Sequence, residues 1–418
     1  MDSLLPEALR KELSMKSQLC ALLALITGSA FLMGQSNSSS PATQAEVVKS
    51  NNAFAVDLYA HLRTKSGNLF FSPESISTAF AMTYAGAHGQ TAAEMARVFH
   101  FTLPTDQLHP AMGALLASMN AKHEEYELHV ADALWAQQNE NFLPAYLKLV
   151  QADYGAGFHP VDFKSSAEAV RGTINQWVEQ QTNNKIQNLI PPGAITPGTL
   201  LVLTDAIYFK GSWLYPFNLS STQVNDFHLS ATQTVRAPMM GRMGSYRYYD
   251  GGTFQALELL YKGNELSMVV LLPKKIDGLA TLEKSLTAAN LSVWIKKLAP
   301  WPKVNLVLPR FTITEQFELS NTLSAMGMPH AFNGSADFSG MTGKPDFLIS
   351  AAIHKAFVDV NETGTEAAAA TGVVMVGASM REANEIIAFV ADHPFLFMIR
   401  DTRSGSILFL GRVADPTK

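Results

Sequence analysis

The sequence predicts an α+β fold, and three observations carry that reading. Helical patterning comes early: Phe54, Leu58 and Leu62 recur at i, i+4 and i+8, and capping signals follow at Ser72-Pro73 and at Thr91 with Glu94. Strand patterning dominates later, where Gly251-Gly252 and Gly263-Asn264 punctuate apolar runs between Val235 and Leu272. One stretch fits neither class. Gly364-Thr365-Glu366-Ala367-Ala368-Ala369-Ala370-Thr371 leads into Val373-Val374-Met375-Val376 and then Gly377-Ala378-Ser379, with no charge between Glu366 and Arg381.

In that stretch the four alanines favour helix and the valines favour strand, so local propensity is divided. Read as a strand, Thr365, Ala367, Ala369 and Thr371 share one face, and every residue on it is small. Such a strand slides over a packed core without demanding new volume. Read alone, the same residues also fit a solvated Ala-rich helical turn or a linker.

In chain order, Ala45 to Arg63 reads as a core-facing helix. Asn68 to Ile76 reads as a short strand running into a second helix, with Ser72 as N-cap and Pro73 in the first turn. Thr91 and Glu94 make a capping-box pattern for a third helix ending near Phe99. Leu128 to Trp135 is a predicted strand, Ser165 to Ile186 a helix, and Leu203 to Trp213 a buried strand ending in a turn. Val304 to Ile313 reads as one strand, Leu319 to Met326 as a helix stopped by Gly327. Phe395 to Ile399 and Ile407 to Val413 read as the final strands.

Composition bounds the function. The chain has 418 residues, 47% hydrophobic and 16% charged, enough apolar material for a large core. Its net charge of -5 arises from 31 basic and 36 acidic residues without long runs, which points away from nucleic acid and anionic membranes. Leu19 to Met33 form an apolar run of about 15 residues, short of the roughly 20 of a membrane span. Arg10, Lys11 and Lys16 precede it and Gln35 to Ser40 follow, the shape of a signal peptide over residues 1–34, with Met15 as a second start. A Ser/Pro linker over 35–44 precedes the expected single domain, 45–418. Export, to an extracellular or periplasmic space, is the expectation. The one cysteine, Cys20, lies inside the apolar run, leaving no disulfide framework or thiol chemistry in the mature chain.

Enzyme motifs are missing. There is no Gly-x-Ser-x-Gly, no His-Glu-x-x-His and no Gly-x-x-x-x-Gly-Lys, and His123-Glu124-Glu125 has no second histidine for zinc. The reading is a non-enzyme with no metal and no cofactor.

Several separated motifs resemble the serpin family. They are Asn68-Leu69-Phe70-Phe71-Ser72-Pro73 with Ser75-Ile76, Gly86 to Thr91, Leu203 to Trp213, Leu308 to Phe311, Asp337 to Met341, His354 to Thr363 and Phe389 to Ile399. The resemblance runs from about Ala45 to Lys418. It implies three β-sheets with about nine helices and an exposed reactive-centre loop over 364–387. The loop is bait: a serine protease is acylated at its scissile bond, and the freed arm inserts into the main sheet before hydrolysis. About 14 residues at roughly 3.3 Å each would carry the protease about 45 Å.

Carried onto this sequence, the family's spacing puts the reactive bond at Ala378-Ser379, after a small apolar Val376-Gly377 that suits an elastase-like or subtilisin-like enzyme. The segment before Pro394 is slightly long for the family, leaving Met380 or Arg381-Glu382 as the alternative bond. The hinge is Gly364 to Thr371 (Gly364, Thr365, Glu366, Ala367, Ala368, Ala369, Ala370, Thr371). Glu362, Arg310 and Trp213 match the region where the sheet first opens. Ser72, Ser75, Asp205 and His354 match the polar cluster near the sheet's centre, although the family usually has Asn at the position of Asp205. The small hinge residues imply an inhibitory member, a monomer partnered covalently by its protease. A carrier, storage or chaperone serpin is the alternative. Only Lys122 and His123 supply cations between His109 and Glu127, so no heparin site is expected.

Overall fold

A computed structural model describes residues 40–121, 123–155, 157–365 and 385–418. The signal-peptide segment, hinge residues Glu366 to Thr371, and both candidate bonds, Ala378-Ser379 and Met380 to Glu382, lie outside the described residues.

The first helix, α1, spans Pro41–Leu62. It starts inside the expected linker because Ser40 accepts the Thr43 N–H as N-cap and Pro41 sits in the first turn, where its missing donor costs nothing. Its buried face includes Phe54, Leu58 and Leu62, as the periodicity requires. Strand β1 (Leu69–Phe71) feeds α2 (Pro73–Tyr84), capped by Ser72 through a 3.2 Å bond from the Ser75 N–H.

Helix α3 (Gly89–Val98) forms without the expected capping box: its N-cap is His88, with no side-chain bond. Thr91 instead accepts from the Asp337 N–H, and Glu94 binds the backbone and Nδ1 of His330. Tertiary partners took the groups that a local cap would have used.

Helix α4 (Thr105–Met119) is followed by β2 (Tyr126–Gln137), α5 (Pro144–Tyr154), β3 (Phe158–Val161) and α6 (Phe163–Gln181). Helix α6 stops short of Ile186 because Asn183 and Asn184 turn to positive φ. Strand β4 covers Leu201–Ser212. Next come β5 (Gln223–His228), β6 (Thr234–Asp250), β7 (Phe254–Leu260) and β8 (Leu266–Pro273), with β6 turning into β7 at Gly251-Gly252 and β7 into β8 at Gly263-Asn264.

The single strand expected over Val304–Ile313 is two, β9 (Ala299–Pro309) and β10 (Phe311–Glu318), in different sheets. Pro309 has no N–H to continue a ladder, and the Arg310 N–H turns to the Pro238 carbonyl. The chain changes sheets there. Strands β11 (Ala351–Val360), β12 (Gly364–Thr365), β13 (Ile387–Val390), β14 (Phe395–Asp401) and β15 (Ile407–Val413) complete the set.

The described strands make two sheets, not three. The larger runs β1-β15-β14-β8-β7-β6-β9-β13, with β5 on β6; the smaller runs β10-β11-β12-β4-β2-β3. Strand β6 joins what the resemblance implies as separate sheets. It pairs with β9 on both sides of a register shift between Gly244 and Tyr246, and its last four residues also pair with β7.

Both faces of the smaller sheet are covered. One packs into the large core with Phe70, Phe209 and Phe409; the other lies under α6, where Phe163, Ile174 and Val178 meet Ala131, Val202, Ala206 and Ile353. A sheet buried on both sides holds polar residues only where they find partners.

Candidate functional site

Strands β4 and β11 are parallel neighbours from Ala351 opposite Val202 to Phe357 opposite Tyr208. Beyond Phe357 they part, and β12 occupies the gap. Thr365 pairs with Val360 on one side and Gly211 on the other, and Gly364 with Ser212. Gly364 and Thr365, where the resemblance puts the start of the hinge, are thus already a strand between two strands. Only glycine fits at 364, since an added Cβ would collide with the Gly211 carbonyl.

Aromatic and charged groups hold the gap. Thr365 is fully buried with its hydroxyl 2.7 Å from that of Tyr261, and Tyr261 stacks on Trp213 at 4.5 Å. Trp213 donates its ring N–H to the Asn361 carbonyl and its backbone N–H to Thr363, each at 2.9 Å. Arg310 Nε lies 2.7 Å from both oxygens of Glu362, and the Thr222 hydroxyl donates to the same carboxylate. Burial alone would raise the Glu362 carboxyl, but the Arg310 and Thr222 bonds outweigh it and hold it below its ordinary value. Trp213, Arg310 and Glu362, distant in sequence, meet here. Tyr261, Thr222 and Asn361 escaped the sequence reading, because nothing in their local patterns marks them.

Lower in the seam, His354 stands opposite Asp205 across the β11–β4 pairing. The Ser72 N–H donates to His354 Nε2 at 3.1 Å, while Nδ1 lies 3.0 Å from Asp205 Oδ1. The Ser75 hydroxyl is 2.5 Å from Asp205 Oδ1 and 2.7 Å from Asp132 Oδ1. Ser72, Ser75, Asp205 and His354 therefore do form one buried cluster, and beside it lie two carboxyls that sequence patterning passed over: Glu74, which is buried, and Asp132, which is half-buried with its Oδ2 atom enclosed. Burial pushes the Glu74 carboxyl up to about 8, against the Thr78 hydrogen bond and with help from the Asp205 charge. Burial and then the Asp205 charge hold Asp132 well above its ordinary value.

The loop is anchored at both ends in different sheets: at Thr365 in the smaller, and at β13, which begins at Ile387 opposite Val304, in the larger.

Comparison with known proteins gives the same assignment. A family model described as Serpin (serine protease inhibitor) matches residues 49–416. Human leukocyte elastase inhibitor is 42% identical over 382 residues, covering 89% of this chain and all of that protein. Among solved structures, uncleaved ovalbumin matches with a TM-score of 0.80 and 30% identity, over 89% of this chain and 100% of its own. A cleaved, loop-inserted ovalbumin variant matches with a TM-score of 0.80 and 29% identity over the same shares. This chain, with the fold and the partly filled seam described above, belongs to the serpin family.

Proposed function

We propose that the protein is a secreted, monomeric suicide-substrate inhibitor of serine proteases, with Ala378-Ser379 as its reactive bond. The observation that carries this reading is β12. Two hinge residues already sit between β4 and β11, and every hinge position after them except Glu366 is Ala or Thr until Gly372. Insertion then extends a strand that has begun.

The protease serine attacks the Ala378 carbonyl carbon, the bond to Ser379 nitrogen breaks, and the new amine takes a proton as it leaves. The protease stays esterified to Ala378. Hinge residues from Glu366 onward follow Thr365 down the seam, satisfying backbone groups on both flanking strands and drawing the ester away from its hydrolytic geometry. A small residue at 378 suits an elastase-like or subtilisin-like target, a choice that the name of the human relative also supports.

Mixing the mature protein with pancreatic elastase, subtilisin and trypsin in separate tubes tests this. The expected result is a denaturant-stable band at the summed mass and a released peptide beginning at Ser379. A peptide beginning at Glu382 with trypsin would move the bond to Arg381. Cleavage without any complex would overturn the inhibitor reading in favour of a carrier, storage or chaperone serpin. Amino-terminal sequencing of protein recovered from the culture medium of an expressing host tests export.

A further inference from the structure

The buried cluster below the hinge holds more oxygen atoms than its protons can serve if all three carboxyls are charged. Ser75 Oγ has one proton, yet carboxylate oxygens of Asp205 and Asp132 both lie within hydrogen-bond distance of it. The second contact requires a carboxyl proton. His354 does not supply it, because its Nε2 accepts from the Ser72 N–H and its remaining proton is on Nδ1, which lies 3.0 Å from Asp205 Oδ1 without a hydrogen bond to it. Asp205 makes the shorter contact to Ser75, 2.5 Å against 2.7 Å, and has the protonated Nδ1 edge of His354 3.0 Å away, so it keeps the charge. Asp132 then donates to Ser75.

We propose that Asp132, Ser75, Asp205 and His354 form a proton-sharing latch across β2, β4 and β11, in which Asp132 and Glu74 are neutral and Asp205 is the anion, so that rising pH loosens the seam.

The groups facing the latch come from every element around it. Glu74 approaches from α2, with one oxygen bonded by Thr78 and the other unpartnered. From β10, Phe317 stacks on His354, and Lys65, paired to Glu315, lies over that ring. The charges that act on Asp132 are Asp205 and Glu74, both acidic. Ionising Asp132 therefore places like charges on either side of one hydroxyl.

The direction follows from linkage. A carboxyl raised on folding contributes stability that is complete below its ordinary value and disappears as pH climbs through the folded value; for Glu74 that window runs from 4.5 to about 8. Asp132 is raised as well, so its contribution fades in the same direction. A strand inserted between β4 and β11 parts Asp205 from His354, so insertion breaks the latch. Each proton released on opening raises the open population by up to about tenfold per pH unit inside the window.

The inference rests on reading β4–β11 as the opening seam, but its test uses uncleaved protein and no protease, so the two readings fail separately. Thermal unfolding is followed from about pH 6 to about pH 9 for the wild type, Asp132→Asn and Glu74→Gln. An asparagine amide donates to Ser75 at every pH. The wild type should lose stability across this range, and each variant should flatten part of that loss. Slopes identical to the wild type in both variants would overturn the latch. Infrared spectra of the wild type give a second readout that needs no variant. The carbonyl stretch of protonated buried carboxyls should be present at neutral pH and fade at alkaline pH. Its absence at neutral pH would overturn the proposal.

Discussion

Thr365 and Tyr261 share a 2.7 Å hydrogen bond between two hydroxyls, both fully buried, and this bond fastens β12 to the turn that follows β7. Burial pushes the Tyr261 phenol far above its ordinary value, so it stays a neutral partner at any working pH. Tyr261→Phe leaves the Thr365 hydroxyl buried and alone, which costs about 1–3 kcal/mol. Thr365→Val in the same background removes the orphan and should recover most of that loss. Chemical denaturation of the two single variants and the double gives the coupling directly. Additive losses would show that the bond does not hold the hinge.

Thr365→Arg tests the seat itself. Thr365 is fully buried, and its described partners Val360, Gly211 and Tyr261 offer a guanidinium no counter-charge, so several kcal/mol oppose its burial. The variant should still present its loop but insert poorly. Elastase would cleave it as an ordinary substrate, and the yield of denaturant-stable complex per cleaved molecule should fall at least tenfold. Undiminished complex would remove β12 from the mechanism.

The pair Arg310–Glu362 closes the same gap from the surface side. Its guanidinium side chain is 37% exposed, so screening limits the pair to about 1 kcal/mol, the range of exposed bridges. Because the Glu362 carboxyl is lowered on folding, that contribution is present above its ordinary value of 4.5 and is lost as pH falls below it. Glu362→Gln should thus cost stability at neutral pH and progressively less as pH falls below 4.5, measured by unfolding at neutral and acidic pH. A penalty unchanged with pH would assign the effect to packing.

Much of this architecture was legible in the sequence because it is local. Ser72 caps α2, Gly251-Gly252 and Gly263-Asn264 turn the hairpins, and Phe54, Leu58 and Leu62 face the core, each from its own few neighbours. What escaped depends on register between distant strands. Asp132 reads as an unremarkable polar position on β2 until the β2–β4 pairing sets it opposite Asp205. Thr91 and Glu94 look like a cap until His330 and Asp337 arrive to claim them. Val304 to Ile313 looks like one strand because Pro309 interrupts hydrogen bonding but not hydrophobicity. The site triad of Trp213, Arg310 and Glu362 came from resemblance, and no periodicity would have joined those three.

The register of β12 makes the sharpest prediction. Thr365 faces Val360 and Gly211, and antiparallel pairing continues one residue down for each residue of loop. Position 371 then falls opposite His354 on one side and Asp205 on the other, which are each other's neighbours in the closed sheet. Directly opposed residues share a face, so a hydroxyl at 371 would enter the latch where insertion has separated its members. Thr371→Asp would bring a carboxylate against the Asp205 charge in a buried site, at a cost of several kcal/mol. Loop cleavage should then raise the melting temperature far less in Thr371→Asp than in the wild type, while Thr371→Ser behaves like the wild type. Equal stabilisation of the cleaved Asp variant would mean that the arm does not descend in the register begun by Gly364 and Thr365.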